Sequence, residues 1–266
     1  MNRIDQCFST LAEQGKKAVI PYVTAGFPEQ AATVDVMHAM VAAGAHIIEL
    51  GVPFSDPMAD GPVIQKACEV SLERGMTLQH VLEMVQHFRE TDQKTPVVLM
   101  GYLNPFEAYG YERFAQAAAQ VGIDGILAVD LPPEDSQIFQ PYLEAAGIHS
   151  IYLLAPTSSD SRIQEVAKKG AGYVYYVSLK GVTGSAALDA QDVKQHVDHL
   201  KAYIKTPICV GFGISDGASA KAIVQHADGV IVGSAYIKAL SQAESGQWST
   251  AVGGLTEDLV TGVEAL

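Results

Sequence analysis

The sequence is poor in cysteine, in positive charge and in long apolar runs. Its three cysteines, Cys7, Cys68 and Cys209, are far apart, odd in number and outside any C-x-x-C. That excludes a zinc knuckle, a dithiol redox pair and a disulfide framework, and it suits a reducing compartment. Lys and Arg number 17 against 30 Asp and Glu, a formal net charge of −13 with His neutral. Such a balance argues against nucleic acid or an anionic membrane as the main partner. An anionic ligand would have to be held by local backbone N–H groups. No run of about 20 apolar residues is present, so no membrane span is expected. The opening MNRIDQCFSTLAEQGKK lacks the apolar stretch of a signal peptide. The expectation is a soluble, cytoplasmic protein. A phosphate-binding G-x-x-x-x-G-K-[ST] motif, a G-x-G-x-x-G after a first strand and a nucleophile elbow are all missing.

What is present is a regular alternation. Continuous apolar runs occur at Ala18–Val23, His46–Leu50, Pro96–Gly101, Gly125–Val129, His149–Leu153, Gly172–Val177, Pro207–Gly211 and Gly229–Val232. Runs of this kind read as strands buried on both faces. Between them lie stretches with apolar residues at i, i+3 and i+4: Ala31–Ala43, Leu78–Arg89, Tyr111–Val121, Asp135–Ala146, Ser161–Lys168, Val193–Ile204 and Ala218–Gln225. Eight strands alternating with helices predict an α/β fold, a single (β/α)8 TIM barrel over residues 1–266. An open doubly wound sheet is the alternative. Extra flanking helices are expected at Ile4–Glu13 and Thr256–Glu264. One step, between strands 2 and 3, spans about 50 residues and opens with GVPFSDPMADGP. Barrel enzymes carry their sites at the C-terminal ends of the strands, so a long segment there points to function.

Glu49 interrupts an apolar strand, and by parity it shares a face with Ile47. A carboxylate on the inner face near a strand's C-terminal end is partly desolvated, which raises its pKa and suits general acid–base work. Asp56 and Asp60 read singly as turn residues. Within Ile48–Pro62, a Pro-stiffened loop returns a second carboxylate, Asp60, toward the first. Tyr175 lies on strand 6, where a barrel core accepts a hydroxyl that finds a partner. Glycine-rich turns follow three late strands, at Gly181–Ser185, Gly211–Ser215 and Gly233-Ser234. Together they resemble a phosphate cup of backbone N–H groups and a helix N-terminus. Such a cup would also let an acidic protein hold an anion. No Lys lies within strands 2–8 to form a Schiff base, and no His cluster suggests a metal. His46 and His149 open their strands at the far end, and His196 and His199 read as a solvated helix face.

These residues resemble the α subunit of tryptophan synthase from end to end. The segment Ile48–Pro62 carries the likeness. With it come Pro21–Pro28, Tyr102-Leu103-Asn104-Pro105, Asp130-Leu131-Pro132, Ser178-x-x-Gly181-Val182-Thr183-Gly184 and Gly211-Phe212-Gly213-Ile214, in order. The resemblance implies a lyase that cleaves indole-3-glycerol phosphate to indole and glyceraldehyde 3-phosphate by a retro-aldol reaction. It implies no metal and no cofactor in this chain, pyridoxal phosphate belonging to a partner β subunit in an α2β2 heterotetramer that makes L-tryptophan. Glu49 would be the acid–base and Asp60 would hold the indole N–H, with Tyr175 as a site-shaping partner of Glu49 and Thr183 also shaping the site. Tyr22, Met100, Leu127, Val129 and Leu153 would line the indole pocket. Backbone groups of Gly184, Gly213, Gly233 and Ser234 would bind phosphate. Pro53, Phe54, Asp56, Pro57, Asn104 and Pro132 would face the β subunit. Two positions depart from the commoner pattern: Tyr at 22 where Phe is more frequent, and Leu179-Lys180 where many members carry Arg at the second position of the loop.

The segment Leu179–Asp192, rich in small residues, is expected to act as a lid that closes over ligand. Three alternatives stay open at this point. One is a stand-alone lyase that releases free indole, and another is a phosphate-binding barrel isomerase. The third is a catalytically dead barrel that only activates a β subunit.

Overall fold

Along each strand, successive residues enter two different apolar environments. The computed structural model describes residues 1–177, 190–211 and 213–265. It contains β1 (Ala18–Thr24), β2 (Ile48–Gly51), β3 (Val97–Gly101), β4 (Gly125–Ala128), β5 (His149–Ser150), β6 (Tyr152–Leu154), β7 (Val174–Val177), β8 (Ile208–Gly211) and β9 (Gly229–Val232). All pairings are parallel, in the order β5-β4-β3-β2-β1-β9-β8-β7-β6. β5 and β6 are one stave interrupted at Ile151, whose N–H still bonds to the Ile126 carbonyl at 2.9 Å. The nine segments therefore make the eight staves of a TIM barrel.

Ala18, Ile20, Ile47, Val98, Leu127, Ile151, Tyr173, Cys209 and Ile231 form a cluster in the lumen. Their neighbours in sequence, such as Val19, Ile48, Val97, Leu99, Val210 and Val230, belong to a larger cluster that includes the surrounding helices. With both faces buried, nearly every residue of a strand is apolar, which is why the runs are continuous.

Helix Arg3–Glu13 plugs the N-terminal mouth, with Ile4 and Leu11 buried in the lumen cluster beside Cys7 and Phe8. Asn2 caps this helix by accepting the Ile4 N–H at 2.9 Å. An ionic cluster pins the plug. Arg3 and Arg89 each reach one oxygen of Asp124 at 2.9 Å, and the Val97 N–H donates to the second oxygen at 2.9 Å.

Three helices lie outside the expected set: Pro62–Glu73, Leu103–Tyr109 and Ser234–Gln242. The long crossover after β2 is thus a short loop followed by two helices, Pro62–Glu73 and Leu78–Arg89. The expected helix Asp135–Ala146 is split into a 3-10 turn, Pro133–Ile138, and a short helix, Gln140–Ala145, on either side of Phe139. Among the described residues no helix is long and apolar enough to cross a membrane.

Candidate active site

Glu49 sits on β2, opposite Tyr22 of β1 and Val98 of β3 in the strand register. It is 0% exposed. Its Oε1 accepts a hydrogen bond from the Tyr173 hydroxyl, and its Oε2 has no partner among the described residues. Burial raises its pKa to about 7, while the Tyr173 bond acts in the opposite direction. Buried polar atoms are nearly always paired. An unpaired carboxylate oxygen in a lumen is where a substrate proton can be given and taken.

The next inward position on β2 is Gly51. A Cβ there would overlap the Tyr22 hydroxyl, so the glycine is what lets that ring lean across to β2. The Tyr22 hydroxyl lies 3.2 Å from Thr24 Oγ1. The same arrangement recurs on β7 and β8, where the Tyr175 hydroxyl occupies the space a Cβ of Gly211 would take. Both tyrosines feel the charges of Glu49 and Asp60, which raise their pKa values in addition to burial. The two carboxylates thus act on the same pair of tyrosine hydroxyls.

Asp60 is half-buried at the end of the loop after β2. The Tyr102 hydroxyl donates to its Oδ2 at 2.9 Å and accepts the Ala59 N–H at 3.0 Å. Phe54 lies against the Tyr102 ring at 5.4 Å between centroids. Burial raises the Asp60 pKa, and the Tyr102 bond opposes the rise.

The expected ring-binding positions lie on the inner side of the strands. Tyr22 and Leu127 are buried, and Met100, Val129 and Leu153 are half-buried. Met100, Val129 and Tyr175 pack on top of the lumen cluster. At the expected phosphate end, Gly213 has a φ of +76°, and Gly233 stands before helix Ser234–Gln242 with no side-chain cap on its N–H groups. Carbon atoms of Tyr22 lie 3.4 and 3.7 Å from where a Cβ of Gly233 would be, so this ring joins the two ends of the site. Thr183, Gly184 and residues 179–189 of the expected lid lie outside the described residues, and its end, 190–192, is the start of helix Ala190–Lys201. On the rim, Pro53 is buried, Phe54, Pro57 and Pro132 are half-buried, and Asp56 and Asn104 are exposed. Met58, between them, is 84% exposed.

Two functional candidates were not singled out in the sequence. The hydrogen bond to Glu49 comes from Tyr173, one inward position below the expected partner Tyr175, and Tyr102 on the far side of the loop donates to Asp60. Strand parity puts Tyr173 on the same face as Tyr175, which was the available signal for the first. The second follows only from the way the loop folds back over β3. Among the described residues no group of three or more His, Cys, Asp or Glu could hold a metal ion. His149 instead contacts Asp5 at 2.9 Å and His199 contacts Asp160 at 2.9 Å, both away from the site.

Comparison with known proteins agrees with this geometry. The family model described as tryptophan synthase alpha chain matches residues 8–257. The chain is 54% identical over 243 residues to a tryptophan synthase alpha chain of Burkholderia multivorans, covering 91% of this chain and 90% of that one. It is 50% identical over 264 residues to that of Burkholderia pseudomallei, covering 99% and 97%. Tryptophan synthase subunit alpha from Legionella pneumophila superposes with a TM-score of 0.94 at 43% identity, covering 100% of both chains. A chain of tryptophan synthase from M. tuberculosis in its aminoacrylate-bound form gives 0.88 at 33%, covering 99% and 100%. The chain therefore belongs to the tryptophan synthase alpha chain family.

Proposed function

We propose that this chain cleaves indole-3-glycerol phosphate to indole and glyceraldehyde 3-phosphate by acid–base catalysis with its own side chains. The observation that carries the reading is Glu49: a wholly buried carboxyl, one oxygen unpaired among the described residues, with a pKa pushed up to about 7 by burial. A group that is half protonated near neutral pH can act as acid and then as base within one turnover. Protonated Glu49 gives its proton to indole C3, which turns the ring into a positively charged indolenine. Asp60 accepts the ring N–H and stabilises that charge. Glu49, now a carboxylate, takes the proton of the side-chain hydroxyl. The oxygen electrons form the aldehyde, the C–C bond breaks and its electrons neutralise the ring. Glu49 ends the cycle protonated, as it began.

The phosphate would be held by backbone N–H groups of Gly213, Gly233, Ser234 and Gly184, with Gly233 and Ser234 at the free N-terminus of helix Ser234–Gln242. Tyr22, Met100, Leu127, Val129 and Leu153 would contact the ring, and Tyr175 and Thr183 would shape the space around it. The chain would need no cofactor of its own. It would dock through the rim at Pro53, Phe54, Asp56, Pro57, Asn104 and Pro132 onto a β subunit that carries pyridoxal phosphate, in an α2β2 assembly in the cytoplasm. The test is indole release from indole-3-glycerol phosphate with and without a β subunit. Release by the chain alone, increased by the β subunit, is expected. No release under either condition overturns the reading.

A further inference from the structure

The tip of the loop that carries Asp60 has little packing to hold it, Met58 being 84% exposed. Its shape depends on hydrogen bonds. The Asp60 N–H donates to the Pro57 carbonyl at 3.0 Å, which closes a turn. Gln65, half-buried on the first turn of helix Pro62–Glu73, reaches back over that turn. Its Nε2 donates to the Asp60 carbonyl at 2.8 Å and lies 3.5 Å from the Pro57 carbonyl. One amide therefore brackets both ends of the turn. The helix supplies a firm base, because the Gln65 N–H is itself bonded to the Gly61 carbonyl at 3.0 Å. Gly61 offers no side-chain cap and Pro62 no N–H, so neither does this work. Tyr102 holds the Asp60 carboxylate by Oδ2. With the backbone fixed by Gln65 and one oxygen fixed by Tyr102, the direction of Oδ1 is determined.

We propose that Gln65 is a positioning residue for catalysis: its side-chain amide fixes the main chain of Asp60 so that the carboxylate oxygen not bound by Tyr102 meets the ring N–H. This rests on the function proposed above. Gln65 touches no reacting atom; it acts through Asp60. A displacement of about 1 Å at a reacting group can cost on the order of 100-fold in rate.

The test uses the full chain with Gln65→Glu and Gln65→Met, which keep the length of the side chain and remove the donor, and Gln65→Lys, which keeps a donor. We expect the first two to lower kcat for indole-3-glycerol phosphate roughly 10- to 100-fold with a smaller rise in KM, and Gln65→Lys to recover much of the loss. A second readout separates positioning from general damage: affinity for indole should fall in the donor-less variants, while affinity for benzofuran, which lacks the ring N–H, should not. Normal kcat in Gln65→Met, or equal loss of indole and benzofuran binding, would overturn the proposal. Asp60→Asn is the control for the underlying function. Full turnover in Asp60→Asn sinks that function; an inactive Asp60→Asn beside a normal Gln65→Met sinks only the role of Gln65.

Discussion

The two mouths of the barrel place buried charge in opposite conditions. At the N-terminal mouth Asp124 is held by Arg3, by Arg89 and by the Val97 N–H, and helix Arg3–Glu13 seals the lumen above its apolar floor. At the C-terminal mouth Glu49 has, among the described residues, one tyrosine for a partner and one oxygen with none. Both carboxylates are buried, yet one is saturated and the other is left wanting. Saturated charge fastens elements together, whereas unsaturated charge is held ready for a ligand at a cost in stability.

The largest test of this contrast is Glu49→Gln. Turnover should fall by roughly 10²- to 10⁴-fold, measured as indole release. The same variant should be more stable than the parent at alkaline pH. The folded-state pKa of about 7 lies above the ordinary 4.5, so the folded chain keeps a proton that the unfolded chain releases. The contribution of this group to stability is fully present below pH 4.5 and is lost as pH rises through about 7. The gain in Glu49→Gln should reach about 3 kcal/mol at pH 8 and vanish near pH 4.5, as read by urea unfolding at both pH values.

Next comes the opposite mouth. Asp124→Ala leaves Arg89, 6% exposed, without its main counter-charge. A loss of about 3–5 kcal/mol of stability is expected, with kcat of the folded protein unchanged. A large fall in kcat at temperatures where the variant is fully folded would mean that the two mouths are not independent.

Tyr173→Phe should have a smaller effect. It removes the bond that holds the Glu49 pKa down, so the pKa rises above about 7. The alkaline limb of the pH–rate profile, where Glu49 loses the proton it must donate, should move up by about 1 unit, the size expected for one hydrogen bond to a charged group. An unmoved limb would assign the pH dependence to another group.

The smallest effect is expected at the phosphate end. Gly213 has a φ of +76°, where a branched side chain is strained, and Gly213→Val also crowds the approach of an anion. Phosphate affinity, measured by titration of inorganic phosphate, should weaken by about 1 kcal/mol, the scale of an interaction with one helix terminus. Unchanged affinity would move the phosphate cup away from Gly213.

The staves of the barrel were legible in the sequence because a strand buried on both faces leaves an unbroken apolar run, as at Val97–Leu99 and Ile208–Val210. Glu49 was legible for the same reason, as a charge where the pattern has no room for one. The helix Pro62–Glu73 was not, because its boundary lies inside a segment dense in Pro and Gly that reads as loop. Gly51 and Gly211 stood in plain view, but as single glycines they carried no sign that tyrosine rings from the neighbouring strands rest on them.

By itself, then, the order of residues determined the barrel, the inward face of each strand and the acid that breaks the pattern, since these follow from local periodicity and from the cost of burying charge. Which tyrosine meets Glu49, which one holds Asp60 and how Gln65 closes the loop were decided only by tertiary structure. Those contacts join residues as far apart as 49 and 173, and their geometry depends on the tilt and stagger of strands around the closed ring, which no local pattern encodes.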